Sequence, residues 1–313
     1  MARLSPQRGQ AKAGQGGNLD GYLHDLSWVL PLRSETATHI ANAFTWLGYP
    51  TFFIAALPLI YWLANKEAAT RIALLVIFTG VTNGLLKDVF DDPRPGAAYA
   101  LDGRVDGSYG LPSGHAQVAF AMWLWIAIEL KQRWFWPIAI IFALGVTLSR
   151  LYLGVHDVED VLAGAALGLG SIGLLAWLYS PAFDWWRNLP ALVQLGVIVA
   201  VEAVLFVTWP EPGGPGTKFA VAGMLLGWWA GVLLDQRQIH FRRHENWLIA
   251  IAATAFGLAV VLLALPQIEP ALMKVGIDKI WARTAQYFFV AFFVTALAPR
   301  LFQAVGAARR EAR

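Results

Sequence analysis

Cysteine is absent from the 313 residues. That removes disulfides, thiolate nucleophiles and Cys-based metal or iron–sulfur centres. Charge is scarce as well: Asp, Glu, Lys and Arg make up 14% of the chain, against about 25% in soluble domains. So few charges cannot cover a globule of this size in water, which argues against a soluble enzyme, a disordered protein and a free nucleic-acid binder. The 24 Lys and Arg exceed the 21 Asp and Glu by only three. Residues 1–20 are polar, with no apolar core followed by a cleavage site, so they do not read as a cleaved signal peptide and are expected to be disordered.

What the chain has instead is apolar length. It is 57% hydrophobic, with mean hydropathy +0.51 and 15 Trp. A membrane-crossing helix needs about 20 mostly apolar residues. Nine segments approach this, at 40–63, 69–89, 115–130, 135–153, 157–178, 191–209, 218–235, 247–266 and 281–299. The expected fold is therefore all-α, a polytopic membrane helical bundle of about nine transmembrane helices. Residues 21–33 are too short to span and read as an amphipathic stretch at the interface. Basic clusters at 237–243 and 300–313 place the C-terminus in the cytoplasm and the N-terminus outside. Gly164 and Gly168, four apart, suit close helix packing. Trp123, Trp125, Trp134, Trp136, Trp185, Trp186, Trp228 and Trp229 read as interface belts.

Charged residues at membrane depth are costly, and those that persist usually act. Here they gather in three segments: KDVFDDPRP (87–95), LPSGHA (111–116) and SRLYLGVHDVED (149–160). Lys87 ends the second span, His115 opens the third, Arg150 lies near the end of the fourth and His156 opens the fifth. Alternating spans bring all of these to one membrane surface. Lys87, Arg94 and Arg150 supply positive charge, and arginine forks match phosphate oxygens. Ser113 and Gly114 open a helix whose backbone N–H groups can meet an anion. Together they suit a dianionic tetrahedral group.

The histidines supply the reaction. Asp160, four residues after His156 and so expected to be its neighbour on a helix, takes the proton on one ring nitrogen and leaves the other free to attack phosphorus. His115 then protonates the leaving oxygen. Water hydrolyses the phosphohistidine, and the cations stabilise the equatorial oxygens. No cluster offers ligands enough for a two-metal site, so metal-independent chemistry without a cofactor is expected.

Lys87 with six residues before Arg94-Pro95, then PSGH at 112–115, then Ser149-Arg150 with five residues before His156 and three before Asp160, resembles the three-part signature of the type 2 phosphatidic acid phosphatase family. The resemblance covers residues 38–180. It implies a helical bundle, phosphate binding by Lys87, Arg94, Ser113, Gly114 and Arg150, and catalysis by His156 as nucleophile, His115 as acid and Asp160 as its orienter. It divides the chain into a polar tail with an interfacial helix (1–37), a phosphatase-like core (38–180) and additional transmembrane helices with a basic tail (181–313). The simplest members have six spans. The longer layout is similar to glucose-6-phosphatase and sphingosine-1-phosphate phosphatase relatives.

The expected protein is thus an integral membrane phosphatase acting on a lipid phosphate monoester or pyrophosphate. Its partners are membrane lipids and a phosphorylated substrate, with no nucleic acid. Its expected place is a bacterial inner membrane, with the site on the non-cytoplasmic face. Two alternatives stay open: a phosphotransferase that passes the phosphoryl group to an alcohol, and a lipid transporter using the late spans and Glu202. The loop carrying Asp91, Asp92, Asp102, Arg104, Asp106 and Tyr109 reads as a lid or as a solvated connection. Asp157 and Glu159 are expected to face water. Tyr152 and Gly154 read as turn and packing residues, and the basic stretch holding His240 and His244 as a contact for anionic lipid.

Overall fold

The computed structural model describes residues 19–105, 107–210, 216–218 and 220–311. The tail up to residue 18, and Asp106 of the long loop, lie outside the described residues. In chain order the helices are α1 (Leu19–His24), α2 (Glu35–Trp46), α3 (Pro50–Leu59), α4 (Lys66–Phe90), α5 (Gly114–Leu130), α6 (Phe135–Tyr152) and α7 (Val158–Leu178). There follow α8 (Asp184–Arg187), α9 (Ala191–Thr208), α10 (Ala220–Leu234), α11 (Trp247–Ala259), α12 (Ile268–Lys274), α13 (Lys279–Phe292) and α14 (Ala298–Ala304). Two three-residue strands, β1 (Phe241–Arg243) and β2 (Ala308–Arg310), pair antiparallel and depart from a purely helical fold.

Among the described residues, six helical stretches are long and apolar enough to cross a membrane: Lys66–Phe90, Phe135–Tyr152, Val158–Leu178, Ala191–Thr208, Trp247–Lys274 and Lys279–Ala304. A seventh arises if the bent pair Glu35–Trp46 and Pro50–Ala64 counts as one. The expected spans at 115–130 and 218–235 form helices of 17 and 15 residues. Outward positions on these helices are apolar. Leu192 and Val207 of α9 are each 82% exposed, a surface suited to hydrocarbon rather than water.

The chain forms two compact units, and α4 and α7 each contribute to both. The first comprises residues up to Tyr49 and Thr82–Leu174. Its helix starts are set by caps. The Ser34 hydroxyl accepts from Ala37 N at 3.2 Å and opens α2. Ser113 caps α5, and α5 stops where Lys131 turns left-handed at φ 54°. α6 packs along both α2 and α5. α7 approaches α5 through its small residues: a Cβ on Gly164 would stand 3.1 Å from Ala116 Cβ, and one on Gly168 2.9 Å from Phe120 Cβ. The stretch at 21–33 is two-faced as expected. Leu26 and Val29 join a core of Ala116, Leu151 and Val161, while Trp28, Leu30 and Leu32 stay exposed.

The second unit comprises Pro50–Val81 and Leu175–Arg313. Trp62 is buried in it and donates to Val294 O at 2.9 Å, with Phe302 edge-on at 5.3 Å. Gly223, Gly227 and Gly231 let α10 lie against Thr284, Phe288 and Thr295. Lys66 ties the ribbon end together, donating to Asp235 Oδ2 and Phe241 O at 2.9 Å each and to Glu311 Oε2 at 3.3 Å. The expected tryptophan belt needs correction at two positions. Trp125 and Trp228 are buried, and their indoles donate to Glu129 and Thr70 respectively. A polar partner on the same or a neighbouring helix lets an indole turn inward.

Candidate active site

All eight residues singled out by the sequence lie in the first unit. Lys87 is in the last turn of α4 and Arg94 in the loop that follows. Ser113 caps α5, with Gly114 and His115 opening it. Arg150 closes α6, and Asp160 sits in the first turn of α7. His156 precedes α7 rather than sharing a helical face with Asp160, as the four-residue spacing had suggested. A capping turn joins the two instead. Asp157 Oδ1 accepts from Asp160 N at 3.1 Å, and Asp160 Oδ2 accepts from Asp157 N at 3.2 Å. The same Oδ2 lies 2.9 Å from His156 Nδ1. Gly154, at φ +67°, makes the tight exit from α6 beneath the Tyr99 carbonyl, where a Cβ has no room.

The other ring nitrogen fixes the tautomer. Arg94 NH1 lies 3.0 Å from His156 Nε2. A guanidinium only donates, so Nε2 must accept and the proton must sit on Nδ1, donated to Asp160. Arg94 is itself oriented by Ser108 O and Val155 O, each at 2.7 Å, and by Ser108 Oγ at 2.9 Å. Burial, reinforced by Arg94, Lys87 and Arg150, holds the His156 imidazole well below its usual range. Burial and then Arg150 push Arg94 down to about 10, which still leaves it cationic near neutrality. The result is a neutral imidazole, with a lone pair on Nε2, among cations.

Arg150 is 1% exposed. Its NH1 donates to Thr45 Oγ1 and, at 2.9 Å, to Asp102 Oδ2, while its Nε is buried without a partner. Losing one member of a buried ion pair costs about 3–5 kcal/mol, so Asp102 and Arg150 stand or fall together. Burial opposes ionisation of Asp102. Hydrogen bonds from Arg104, Tyr49 and Arg150 outweigh it and hold the carboxyl well below the usual carboxylate range. His115 lies edge-on to Tyr49 at 4.7 Å, and its buried Nε2 has no hydrogen-bond partner. Lys87 donates to Tyr109 O and, at 2.7 Å, to Gly110 O. Beneath the start of α5, Asn83 donates to Pro112 O at 3.1 Å and to Gln117 Oε1 at 3.0 Å, and Gln117 donates to Thr82 Oγ1 at 3.0 Å. This buried polar trio pins the PSGH turn. Among the described residues, no three His, Asp or Glu side chains gather as a metal site.

Two expectations are corrected here. The loop from Asp91 to Tyr109 is not simply solvated, because Asp102 is buried at 3% exposure. Asp157 does not face water either: it is buried, and its Oδ2 meets His24 Nδ1 at 2.6 Å, while Glu159 is half-buried beside His24 Nε2. Sequence reasoning missed Tyr49, Thr45, Asn83 and Gln117. A polar side chain inside an apolar run, such as Asn83 or Gln117, is the signal that points to them.

Comparison with known proteins bears on the same segments. A family model described as the PAP2 superfamily matches residues 68–184, spanning every motif above. A second, the transmembrane extension of PAP2 superfamily phosphatases, matches residues 219–310. The chain carries a PAP2 superfamily domain. Among similar proteins is sphingosine-1-phosphate phosphatase 2 of Mus musculus, 30% identical over 201 residues, covering 58% of this chain and 56% of that protein. Lipid phosphate phosphatase delta of Arabidopsis thaliana is 25% identical over 247 residues, covering 72% of this chain and 55% of the relative. The chain thus spans about half the length of these curated relatives. A solved transmembrane PAP2-type phosphatidylglycerolphosphate phosphatase from Bacillus subtilis aligns with TM-score 0.42 at 25% identity, over 49% of this chain and 81% of its own. In the PAP2 domain, the three motifs are the ends of α4, α6 and the connections into α5 and α7.

Proposed function

We propose that the PAP2 domain hydrolyses a lipid phosphate monoester or pyrophosphate through a phosphohistidine, without a metal. The observation that carries this reading is the pairing of His156 Nδ1 with Asp160 while Nε2 accepts from Arg94. Arg94 moves from Nε2 onto a phosphate oxygen when substrate arrives. The freed lone pair then attacks phosphorus in line, and the bond to the leaving oxygen breaks. His115 protonates that oxygen, and the neutralised His115 then takes a proton from water, which attacks the phosphohistidine and releases orthophosphate. Asp160 steadies the Nδ1 proton throughout. Arg94, Arg150, Lys87 and the N–H groups at Ser113 and Gly114 balance charge on the equatorial oxygens, the part a metal plays elsewhere.

A lipid substrate fits the setting, since the similar phosphatases carry lipid phosphates in their names and the domain's helices present apolar surfaces. Counting α5 and α10 with the six long spans and the bent pair gives nine crossings. Reading the basic ribbon and C-terminal residues as cytoplasmic, we infer a site on the non-cytoplasmic face of a bacterial inner membrane. The test is orthophosphate release by purified protein from a panel of lipid and soluble phosphates, with and without excess EDTA. Wild-type protein releases phosphate from lipid monoesters in EDTA, and His156→Ala does not. Turnover by His156→Ala would overturn the nucleophile, and EDTA inhibition reversed by divalent cations would overturn the metal-free step. Transfer of the phosphoryl group to an added alcohol in preference to water would make the enzyme a phosphotransferase.

A further inference from the structure

Asp102 belongs to none of the three motifs, yet it reaches the centre of the site from the loop between α4 and α5. Its carboxylate is buried and fully engaged. Oδ2 accepts from Tyr49 OH at 2.5 Å and Arg150 NH1 at 2.9 Å, and Oδ1 accepts from Arg104 Nε at 2.8 Å and Arg104 N at 3.2 Å. Arg104 also lies over the Tyr49 ring, 4.5 Å from its centroid. The carboxylate is thus anchored by groups other than the arginine it holds. Arg150 in turn has one arm occupied by Asp102 and Thr45, while its buried Nε has no partner.

We propose that Asp102 is a positioning residue for Arg150, holding one arm of the guanidinium so that its Nε edge meets the phosphate, and partly cancelling the cationic charge that would otherwise retain orthophosphate. This rests on the phosphatase reading above. Geometry supplies the first half: an arginine stem on its own has several rotamers, and a carboxylate fixed from three sides selects one. Charge supplies the second half. Binding energy that acts equally on ground state and transition state does not raise turnover. A site with Lys87, Arg94 and Arg150 all uncompensated would grip its anionic product, and a fixed negative charge beside Arg150 weakens that grip while leaving the fork aligned.

The discriminating experiment compares wild-type, Asp102→Asn and Tyr49→Phe proteins for kcat and KM on one lipid phosphate, and for orthophosphate affinity by calorimetry. Asp102→Asn keeps the size and loses the charge. Orthophosphate binds it about tenfold more tightly, equivalent to one pKa unit of electrostatic interaction, while kcat falls by up to about 100-fold through misplacement of Arg150. Tyr49→Phe retains the charge and loosens the anchor, so kcat falls while orthophosphate affinity stays at the wild-type value. Active wild type with unchanged kcat and affinity in Asp102→Asn overturns this inference alone. So does a fall in kcat with orthophosphate affinity unchanged, the pattern of a merely structural role. Wild-type protein that neither binds nor releases orthophosphate overturns the phosphatase reading and this inference with it.

Discussion

The backbone of Gly48 lies against the imidazole of His115: a Cβ added there would stand 3.0 Å from Cγ and 3.3 Å from Nε2 of the ring. Backbone and ring therefore approach more closely than any side chain at position 48 permits. Tyr49, the next residue, packs its ring edge-on against the same imidazole at 4.7 Å. The turn after α2 forms one wall of the site. In the proposed mechanism, Gly48→Ala pushes His115 away from the leaving oxygen. Because a positioned acid contributes about 10²–10⁴-fold, kcat should fall by at least about tenfold with KM little changed. Steady-state kinetics on the folded variant checks this. Wild-type kcat would show that the ring has room to retreat without cost.

Asp160→Asn tests the charge behind the nucleophile. Asp160 Oδ2 meets both His156 Nδ1, at 2.9 Å, and Asp157 N, at 3.2 Å. An Asn oxygen in that place still accepts from both, so tautomer and shape are kept and only the negative charge beside the ring is lost. In the proposed mechanism that charge steadies the ring as it becomes positive during attack, and a fall of about 10²–10³-fold in kcat is expected, the usual cost of removing one electrostatic stabiliser. Rapid-quench measurement of phosphoenzyme should find its formation slowed to the same extent. A phosphoenzyme that forms normally but hydrolyses slowly would move Asp160 to the second step.

Much of this site was readable from the chain because its members sit at the ends of apolar runs. There a charge costs little to place and the topology dictates which face it joins. Lys87, Arg94, His115, Arg150, His156 and Asp160 were found that way. Asp102 was not, because its partners Tyr49 and Arg150 lie 53 and 48 residues away, and a loop carboxylate gives no periodic signal. The link from His24 to Asp157, 133 residues apart, is hidden for the same reason. The helical class followed from hydropathy. The lengths of α5 and α10 did not, since a cap at Ser113, a left-handed stop at Lys131 and a π-helical turn after Leu234 set them. The spacing of Gly223, Gly227 and Gly231 was visible and carries the same signal as Gly164 and Gly168. Only the packing of α10 on α13 shows what it serves.

That seam yields a prediction independent of catalysis. A Cβ on Gly227 would meet the Phe288 backbone, 2.9 Å from its Cα, and one on Gly223 would stand 2.6 Å from Thr284 Cγ2. The obstruction at Gly227 is backbone, which cannot rotate away as a side chain can. Gly227→Ala should therefore destabilise the protein by about 1–3 kcal/mol through overpacking. Gly196→Ala, where a Cβ meets nothing within 4 Å, should not. Thermal unfolding of both variants in the same detergent measures the difference. Equal midpoints would show that α10 and α13 separate without penalty.

The pH dependence follows from His156. Burial and the neighbouring cations hold its imidazole below the usual range, so the neutral form persists at pH values where an ordinary histidine, with a pKa of about 6.5, is protonated. In the proposed mechanism, attack by Nε2 requires that neutral form. The acid limb of kcat/KM should therefore fall below pH 6.5, measured on a substrate whose own phosphate ionisation is known and subtracted. Stability carries the opposite demand. Below about pH 6.5 the unfolded chain takes up a proton on this residue that the folded protein refuses, so more protons are bound unfolded and stability falls with pH across that window. Asp102 adds to the loss at lower pH, because its depressed folded-state affinity gives stability that is present above about pH 4 and lost on acidification. The enzyme should thus keep its catalytic competence into a pH range where its fold is already weakening. Unfolding midpoints and kcat/KM over the same pH series should separate accordingly. An acid limb centred at or above pH 6.5, with stability flat through that region, would mean that His156 is no more shielded than a histidine in water.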